Sequence, residues 1–203
     1  MSPKRRHLSS FAMPARIFEA VFEIAADQHG YVTTAQAEAA GVGRRALNKM
    51  ARRGSLQRIS SGLYRLVHFP FSQWGQYMEA VLWPRGVRGV VSHETALAIH
   101  GLSDVSPTKV HITVPRAYRV RRKAPAVLAI HRADLPEADV DTYEGIPLTT
   151  PERTIRDCHA DHLGPALVRQ AIEDGRRTGL LRPARADALE RELLGTPSPP
   201  ASR

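Results

Sequence analysis

Two short helical segments separated by a glycine turn limit the folds open to this chain more than any other feature. Periodicity and end signals predict one helix over Thr34–Ala40 and another over Arg44–Arg53. Between them lies the turn Gly41-Val42-Gly43. Two helices joined by three or four residues that include glycine form a helix-turn-helix. We therefore predict a helix-turn-helix in this part of the chain.

The helix predicted over Arg44–Arg53 has one apolar half, which contains Leu47 and Met50, and one cationic half. The cationic half has no acid, whereas an ordinary surface helix pairs Glu with Lys across a turn. Such a helix suits the major groove of DNA, where Arg and Asn contact phosphates and base edges. The residues of this half predicted to bind DNA are Arg44, Arg45, Asn48, Lys49, Arg52 and Arg53.

Two strand-like runs follow, Leu56–Ile59 and Leu63–Val67, and the turn Ser60-Ser61-Gly62 joins them. This pattern predicts a hairpin, with Arg58 and Arg65 pointing outward. A basic hairpin beside such a helix is typical of a wing that contacts phosphates. A plain hairpin that only closes a small core is the alternative. The wing residues predicted to contact DNA are Arg58, Ser60, Ser61 and Arg65.

Positive charge is concentrated in the first third of the chain. Residues 1–70 carry a net charge of +7 out of the total of +9, and residues 71–203 carry only +2. Between Glu38 and Glu79 there are seven bases and no acid. A field of one sign attracts a polyanion, and its self-repulsion costs folding stability. The distribution favours nucleic acid as the partner, and a basic solvated surface is the alternative.

Beyond residue 70 the pattern becomes mixed α and β. Helices are predicted over 73–83, 93–100, 165–180 and 183–194, with another that begins at Pro151, and strands over 87–91, 109–114 and 126–130. We expect an α+β protein, with a winged helix-turn-helix followed by a larger mixed α/β domain. The predicted segments are a basic arm over 1–13, the winged domain over 14–70, the larger domain over 71–194 and a disordered tail over 195–203.

The sequence contains no pattern typical of a catalytic or metal site. Walker, GxGxxG and GxSxG motifs are absent. His93 and His100 are seven residues apart and His159 and His162 are three apart, with no thiolate pair or HExxH motif beside them. Cys158, the single cysteine, is expected to pack as a small apolar side chain. We predict no catalytic residue, no cofactor and no metal.

A second basic stretch, over residues 105–133, precedes an acidic stretch over 134–144. The two charges can simply offset each other on a solvated loop. Alternatively, the basic stretch contacts the DNA backbone or docks an acidic partner. The bases of this patch are Arg116, Arg119, Arg121, Arg122 and Lys123.

The chain has no sign of export or membrane insertion. No apolar run approaches the roughly 18 residues that a membrane span requires. The basic start MSPKRRHLSS is not followed by the apolar stretch of a secretory signal. We expect a cytoplasmic protein without a membrane partner.

A series of short motifs follows one order along the chain. In the first part they are Gly30-Tyr31-Val32-Thr33, Gly41-Val42, Leu47, Met50 and Gly62-Leu63-Tyr64. In the second part they are the segments 92–97, 100–102, 110–115 and 145–154. In order and spacing they resemble the antitoxin of AbiE-type (type IV) toxin–antitoxin systems, the AbiEi family. The resemblance covers roughly residues 14–194.

The resemblance implies a transcriptional autorepressor that binds double-stranded operator DNA of its own operon. It also implies that the chain counteracts a nucleotidyltransferase-like toxin. Similar N-terminal regions occur fused to a nuclease-like domain, but no D…ExK cluster follows Thr154, which argues against nuclease activity. The alternative is a protein-binding module that sequesters an acidic partner without specific DNA recognition.

Overall fold

A computed structural model of the chain describes residues 12–120 and 122–195. These residues form two compact units that divide between Gly86 and Val87. The predicted basic arm lies almost wholly outside the described residues, as does the predicted tail, and Arg121 is also outside them. No helix within the described ranges combines the length and apolar character needed to cross a membrane.

The first unit contains the predicted helix-turn-helix and hairpin. A three-stranded antiparallel sheet in the order β1-β3-β2 packs with the helices. The helix-turn-helix consists of the second and third helices, as predicted. The elements are α1 (Ala12–Ala26), β1 (Tyr31–Thr33), α2 (Thr34–Ala39), α3 (Arg44–Arg52), β2 (Leu56–Ser60), β3 (Leu63–Leu66) and α4 (Gly75–Leu82).

Helix α2 begins at Thr34, as predicted, and the residue before it caps its N-terminus. Thr33, not Thr34, is the N-cap, and its hydroxyl accepts a hydrogen bond from the Gln36 backbone amide at 3.2 Å. In return, Gln36 Oε1 accepts from the Thr33 backbone amide at 2.9 Å. This reciprocal capping box satisfies two amide groups that the helix itself leaves without partners. It fixes the start of the helix-turn-helix directly after β1.

Helix α4 belongs to the first unit, although the sequence pattern placed the boundary at residue 70. Tyr31 on β1 donates a hydrogen bond from Oη to Glu79 Oε2 on α4 at 3.0 Å. Burial and the neighbouring carboxylate raise the pKa of Tyr31 to about 12. The segment Phe69-Pro70-Phe71, at the predicted boundary, connects two parts of one unit.

The second unit combines a five-stranded mixed sheet with four helices. The strand order is β6-β5-β4-β8-β7; β5–β6 and β4–β8 are parallel and the other pairs are antiparallel. A short 3-10 turn over Glu137–Asp139 precedes β7. The elements are β4 (Val90–Val91), α5 (His93–His100), β5 (Val110–Val114), β6 (Leu128–Arg132), β7 (Val140–Tyr143), β8 (Ile146–Thr149), α6 (Pro151–Ala160), α7 (Pro165–Thr178) and α8 (Pro183–Leu194).

The four helices of the second unit share an apolar core. Leu97, Ile155, Ile172 and Leu189 contribute one side chain from each helix, all at most 1% exposed. Cys158 is buried in the same cluster, and burial raises the pKa of its thiol. The expectation that this cysteine packs as a small apolar side chain is confirmed, because its side chain is buried among the apolar residues of this cluster.

Gly175 in α7 lies where a methyl group has no room. A Cβ at this position would lie 2.7 Å from Leu181 Cδ1 and 2.8 Å from its Cγ. Replacing glycine by alanine in an open helix stabilises it by about 1 kcal/mol. Here we expect Gly175→Ala to destabilise the second unit by about 1–3 kcal/mol, because overpacking outweighs helix propensity. Thermal unfolding measures the change.

The double variant Gly175→Ala/Leu181→Val is the matched control, since the shorter side chain makes room for the new methyl group. It should be less destabilised than the sum of the two single variants. A rise in melting temperature for Gly175→Ala alone would show that the helices are not closely packed at this point.

Candidate nucleic-acid interface

Helix α3 presents the two halves that its sequence predicts. Leu47 is completely buried, and Ala46, Met50 and Ala51 pack against the core that α1, α2 and the sheet form. The opposite side of the helix is exposed to solvent. The exposed cations are Arg44, Arg45, Lys49 and Arg52, with Arg53 directly after the helix end.

Asn48 lies at the edge of this cationic face and is half-buried. Its Oδ1 accepts a hydrogen bond from Tyr64 Oη of β3 at 3.1 Å. The Tyr64 ring is itself buried, so the amide is held between the helix and the sheet. An amide oxygen has a second lone pair and the amide nitrogen has two protons. Asn48 therefore keeps the groups that a base edge requires.

Most cations of this face have no acidic partner among the described residues. Among the described residues, Arg44 alone of the α3 cations reaches a carboxylate, Glu38, at 3.9 Å and with both side chains exposed. An exposed pair of this kind contributes little to stability. In the second unit, by contrast, several arginines form ion pairs with neighbouring carboxylates: Arg153, Arg156, Arg176, Arg177 and Arg185. The α3 face is thus an uncompensated positive surface.

Arg58 of β2 extends this surface. In the sheet register it lies directly opposite Tyr64. Directly opposed residues of an antiparallel pair share one face, so Arg58 lies on the face whose Tyr64 contacts Asn48. Its side chain is exposed. We name the exposed cations of α3, together with Asn48, Arg53 and Arg58, the α3 surface.

Arg65 does not belong to the α3 surface, and the prediction that it points outward is wrong. It lies opposite Gln57 and Tyr31, on the other face of the sheet, and is only 7% exposed. Its guanidinium donates to the carbonyls of Phe69 and Pro70, each at 3.0 Å. It also lies 4.6 Å from the centroid of the Phe71 ring.

Tertiary packing on strand β3 explains why this prediction was wrong. Strand β3 is the central strand of the sheet, and the chain that leaves the hairpin covers its second face. All four residues of β3 are therefore buried, so the alternation that predicted an outward Arg65 does not apply. A two-stranded hairpin would have left that face in water.

The hairpin turn is anchored to the rest of the first unit. Arg85 Nε donates to the Ser61 carbonyl at 3.1 Å, and the same guanidinium bonds the Ser61 hydroxyl. The Gly62 carbonyl accepts from the Thr34 backbone amide at 2.8 Å. Ser60 Oγ is buried and has no hydrogen-bond partner among the described residues. Nothing in the sequence pattern around Arg85 indicated this contact, and DNA contact by Ser60 and Ser61 stays a prediction.

The second basic stretch lies in the other unit. The side chains of Arg116, Arg119 and Lys123 are exposed, and the ion pairs of the described residues do not involve them. Asp134 accepts from the backbone amide of Arg116 at 3.0 Å, so it orders the main chain rather than neutralising a guanidinium. Arg122 is half-buried. A solvated loop with offset charges, a DNA-backbone contact and a docking site for an acidic partner all stay predictions for this patch.

Comparison with known proteins gives two family matches. Residues 19–67 match a family model described as the transcriptional regulator, AbiEi antitoxin. Residues 89–165 match the AbiEi antitoxin C-terminal domain. No curated protein sequence matches significantly. Among solved structures, the RV2827C protein from Mycobacterium tuberculosis aligns at 17% identity and a TM-score of 0.49, over 87% of this chain and 71% of that one.

Proposed function

Because the chain belongs to the AbiEi antitoxin family, we propose that it represses its own operon by binding operator DNA and counteracts a nucleotidyltransferase-like toxin. The α3 surface is the single observation that carries the DNA-binding part of this proposal. It is one-sided, exposed and almost without acidic partners. Such a field favours a polyanion and would otherwise cost stability through self-repulsion.

In the proposed complex, α3 lies in the major groove and the hairpin lies beside it. Arg45 and Asn48 lie at consecutive turns of one face, where they can hydrogen-bond base edges. Arg53, beyond the helix end, and Arg58, on the sheet, contact phosphates. Phosphate contacts hold the protein in register without reading the sequence.

Alanine variants separate these two kinds of contact. We expect Arg45→Ala and Asn48→Ala each to weaken binding to the operator by about 1–3 kcal/mol, while binding to unrelated DNA changes less. Arg53→Ala should weaken binding to both DNAs alike, because it loses a phosphate contact. Mobility shifts on the DNA upstream of the chain's own gene and on scrambled DNA measure both effects.

Tyr64→Phe is the matched control for Asn48. It removes only the hydroxyl that bonds Oδ1, so the amide loses its fixed orientation while the buried ring stays. It should reduce operator binding by a smaller factor than Asn48→Ala does. If Arg45→Ala and Asn48→Ala bind the operator as the wild type does, α3 is not the reading element.

The antitoxin part of the proposal is assigned to the second unit. It matches the C-terminal family domain, and its exposed cations at Arg116, Arg119 and Lys123 offer a site for an acidic protein surface. Growth of cells that co-express the toxin is the readout. Full-length chains altered in the α3 surface should still rescue growth while they fail to repress.

The second candidate function is a protein-binding module that sequesters an acidic partner without specific DNA recognition. The uncompensated cations of the second unit favour it. It predicts equal, weak binding to operator and scrambled DNA, and rescue of growth that depends on Arg116, Arg119 and Lys123. A clear preference for the operator would exclude it.

A further inference from the structure

Three histidines that are distant in sequence meet at one point of the second unit. His93 is the first residue of α5, His111 lies on β5 and His131 on β6. In the parallel β5–β6 register, His131 lies opposite Thr113, two residues from His111. This brings both imidazoles to the same face of the sheet. The histidines that meet are therefore not the pairs that sequence spacing singled out, which were His93 with His100 and His159 with His162.

The imidazole rings are in direct contact. The ring centroids of His93 and His131 are 3.5 Å apart, with planes inclined by 15°. His111 Nδ1 lies 3.1 Å from His131 Nε2, and His93 Nδ1 lies 2.9 Å from Ser92 Oγ. These contacts leave His93 Nε2 and His131 Nδ1 for another partner. Nitrogen atoms of His93 and His131 and a carboxylate oxygen of Asp161 all lie within 4.8 Å of one another.

His93 is held in this place at a conformational cost. Its φ is +53°, in the left-handed region that a histidine rarely adopts, and it is only 8% exposed. Strain of this kind persists where the surroundings impose it, and it is concentrated at functional sites. Neutral imidazole is the form in which histidine binds a metal ion.

A carboxylate oxygen near the rings also lacks a partner. Asp157 lies one turn before Asp161, and its Oδ1 accepts from Arg153 Nε at 2.8 Å. Its Oδ2 is buried and has no hydrogen-bond partner among the described residues. The charges of Asp157 and Asp161 both act on His131. A buried oxygen that carries negative charge without a partner is costly unless a cation or a donor joins it.

We propose that His93, His131 and Asp161 form a binding site for one divalent transition-metal ion of the zinc class. Two imidazoles and one carboxylate form a ligand set that zinc accepts, with a water molecule completing the coordination. The ligand atoms of a tetrahedral ion lie roughly 3.3 Å apart, given bonds of about 2.0–2.1 Å. Binding therefore draws the three groups, now within 4.8 Å of one another, closer together, and it turns the stacked His93 and His131 rings so that their lone pairs meet at the ion.

The surroundings supply the outer contacts that metal-binding histidines need. Ser92 is completely buried, accepts from Thr113 Oγ1 at 2.8 Å and can accept from His93 Nδ1. His111 can accept from His131 Nε2 in the same way. Such partners fix the ring orientation and increase the basicity of the ligand. The ion joins α5, β6 and the end of α6, so it stabilises the second unit.

Titration of the full-length chain with zinc chloride tests the site. We expect one ion per chain by calorimetry and a melting temperature that rises with zinc concentration. His93→Asn should weaken zinc binding by roughly 100-fold or more, and asparagine tolerates the left-handed backbone. Ser92→Ala removes the outer contact to His93, together with the acceptor of the Thr113 hydroxyl, and should weaken zinc binding by about 10–100-fold.

His29→Asn is the matched control, because His29 has nearly the same backbone angle, φ +51°, but lies in the first unit. It should bind zinc as the wild type does. Asp161 is the exposed ligand of the proposed site. Its variant Asp161→Asn remains informative even if His93→Asn fails to fold. In the wild type, zinc should shift the imidazole 15N resonances of His93 and His131.

The site does not exist if zinc leaves the melting temperature of the wild type unchanged. The proposal is equally overturned if the variants His93→Asn and Asp161→Asn bind zinc as tightly as the control His29→Asn does. Zinc-induced shifts confined to other histidines would mean adventitious surface binding only.

Discussion

Replacing Arg65 by alanine is expected to lower the free energy of unfolding of the first unit by about 2–5 kcal/mol. The guanidinium donates to the carbonyls of Leu66, Phe69 and Pro70, and it lies 4.6 Å from the centroid of the exposed Phe71 ring. Its removal takes the donor away from the carbonyls of Phe69 and Pro70 and takes the buried aliphatic stem away from the sheet face; the Leu66 carbonyl keeps the Phe69 backbone amide as a donor. Urea unfolding followed by tryptophan fluorescence measures the change.

Arg58→Ala is the matched control, because both arginines lie in the same hairpin but on opposite faces. It should change stability by less than about 0.5 kcal/mol, since its side chain is exposed, yet it should weaken DNA binding. Arg65→Lys should recover only part of the loss, because an ammonium group lacks the planar fork that reaches two carbonyls. Equal stability for Arg58→Ala and Arg65→Ala would contradict the buried placement of Arg65.

The second large effect concerns the α3 surface as a whole. We expect the triple variant Arg45→Ala/Lys49→Ala/Arg52→Ala to lose operator affinity by about 100-fold or more at low salt. Its melting temperature should stay the same or rise slightly, since three mutually repelling exposed charges are removed. Fluorescence anisotropy with labelled operator DNA and thermal unfolding give the two readouts.

A fall in melting temperature that accompanies the loss of affinity would mean that these side chains support the fold instead. The circular dichroism spectrum of the triple variant should match that of the wild type. If affinity is retained, the exposed face of α3 is not the DNA contact.

Local patterns predicted the helix-turn-helix and much of the second unit. The one-sided cationic helix was recognised from periodicity alone, because burial of Leu47 and exposure of its opposite half follow from spacing. The helices over His93–His100 and Pro183–Leu194 have the predicted bounds, since proline, glycine and polar caps mark their ends. These signals are local, so the sequence carries them directly.

Contacts between distant segments were not predictable in the same way. Whether Arg65 lies in water depends on residues 69–71, which no pattern links to β3. Strand β7 was missed because it is largely exposed and shows no apolar alternation, and its antiparallel partner β8 was missed with it. The meeting of His93, His111 and His131 follows from the β5–β6 pairing, which no local spacing specifies.

The salt dependence of operator binding tests the central claim most directly, that DNA is bound through the α3 surface. The logarithm of the affinity falls with that of salt by about 0.9 per phosphate contact. The triple α3 variant should therefore have a slope smaller by about 1.8 than that of the wild type, because Lys49 and Arg52 are expected to contact phosphates and Arg45 base edges. The triple variant Arg116→Ala/Arg119→Ala/Lys123→Ala should keep the wild-type slope. The reverse result would place the DNA contact on the second unit and contradict the account.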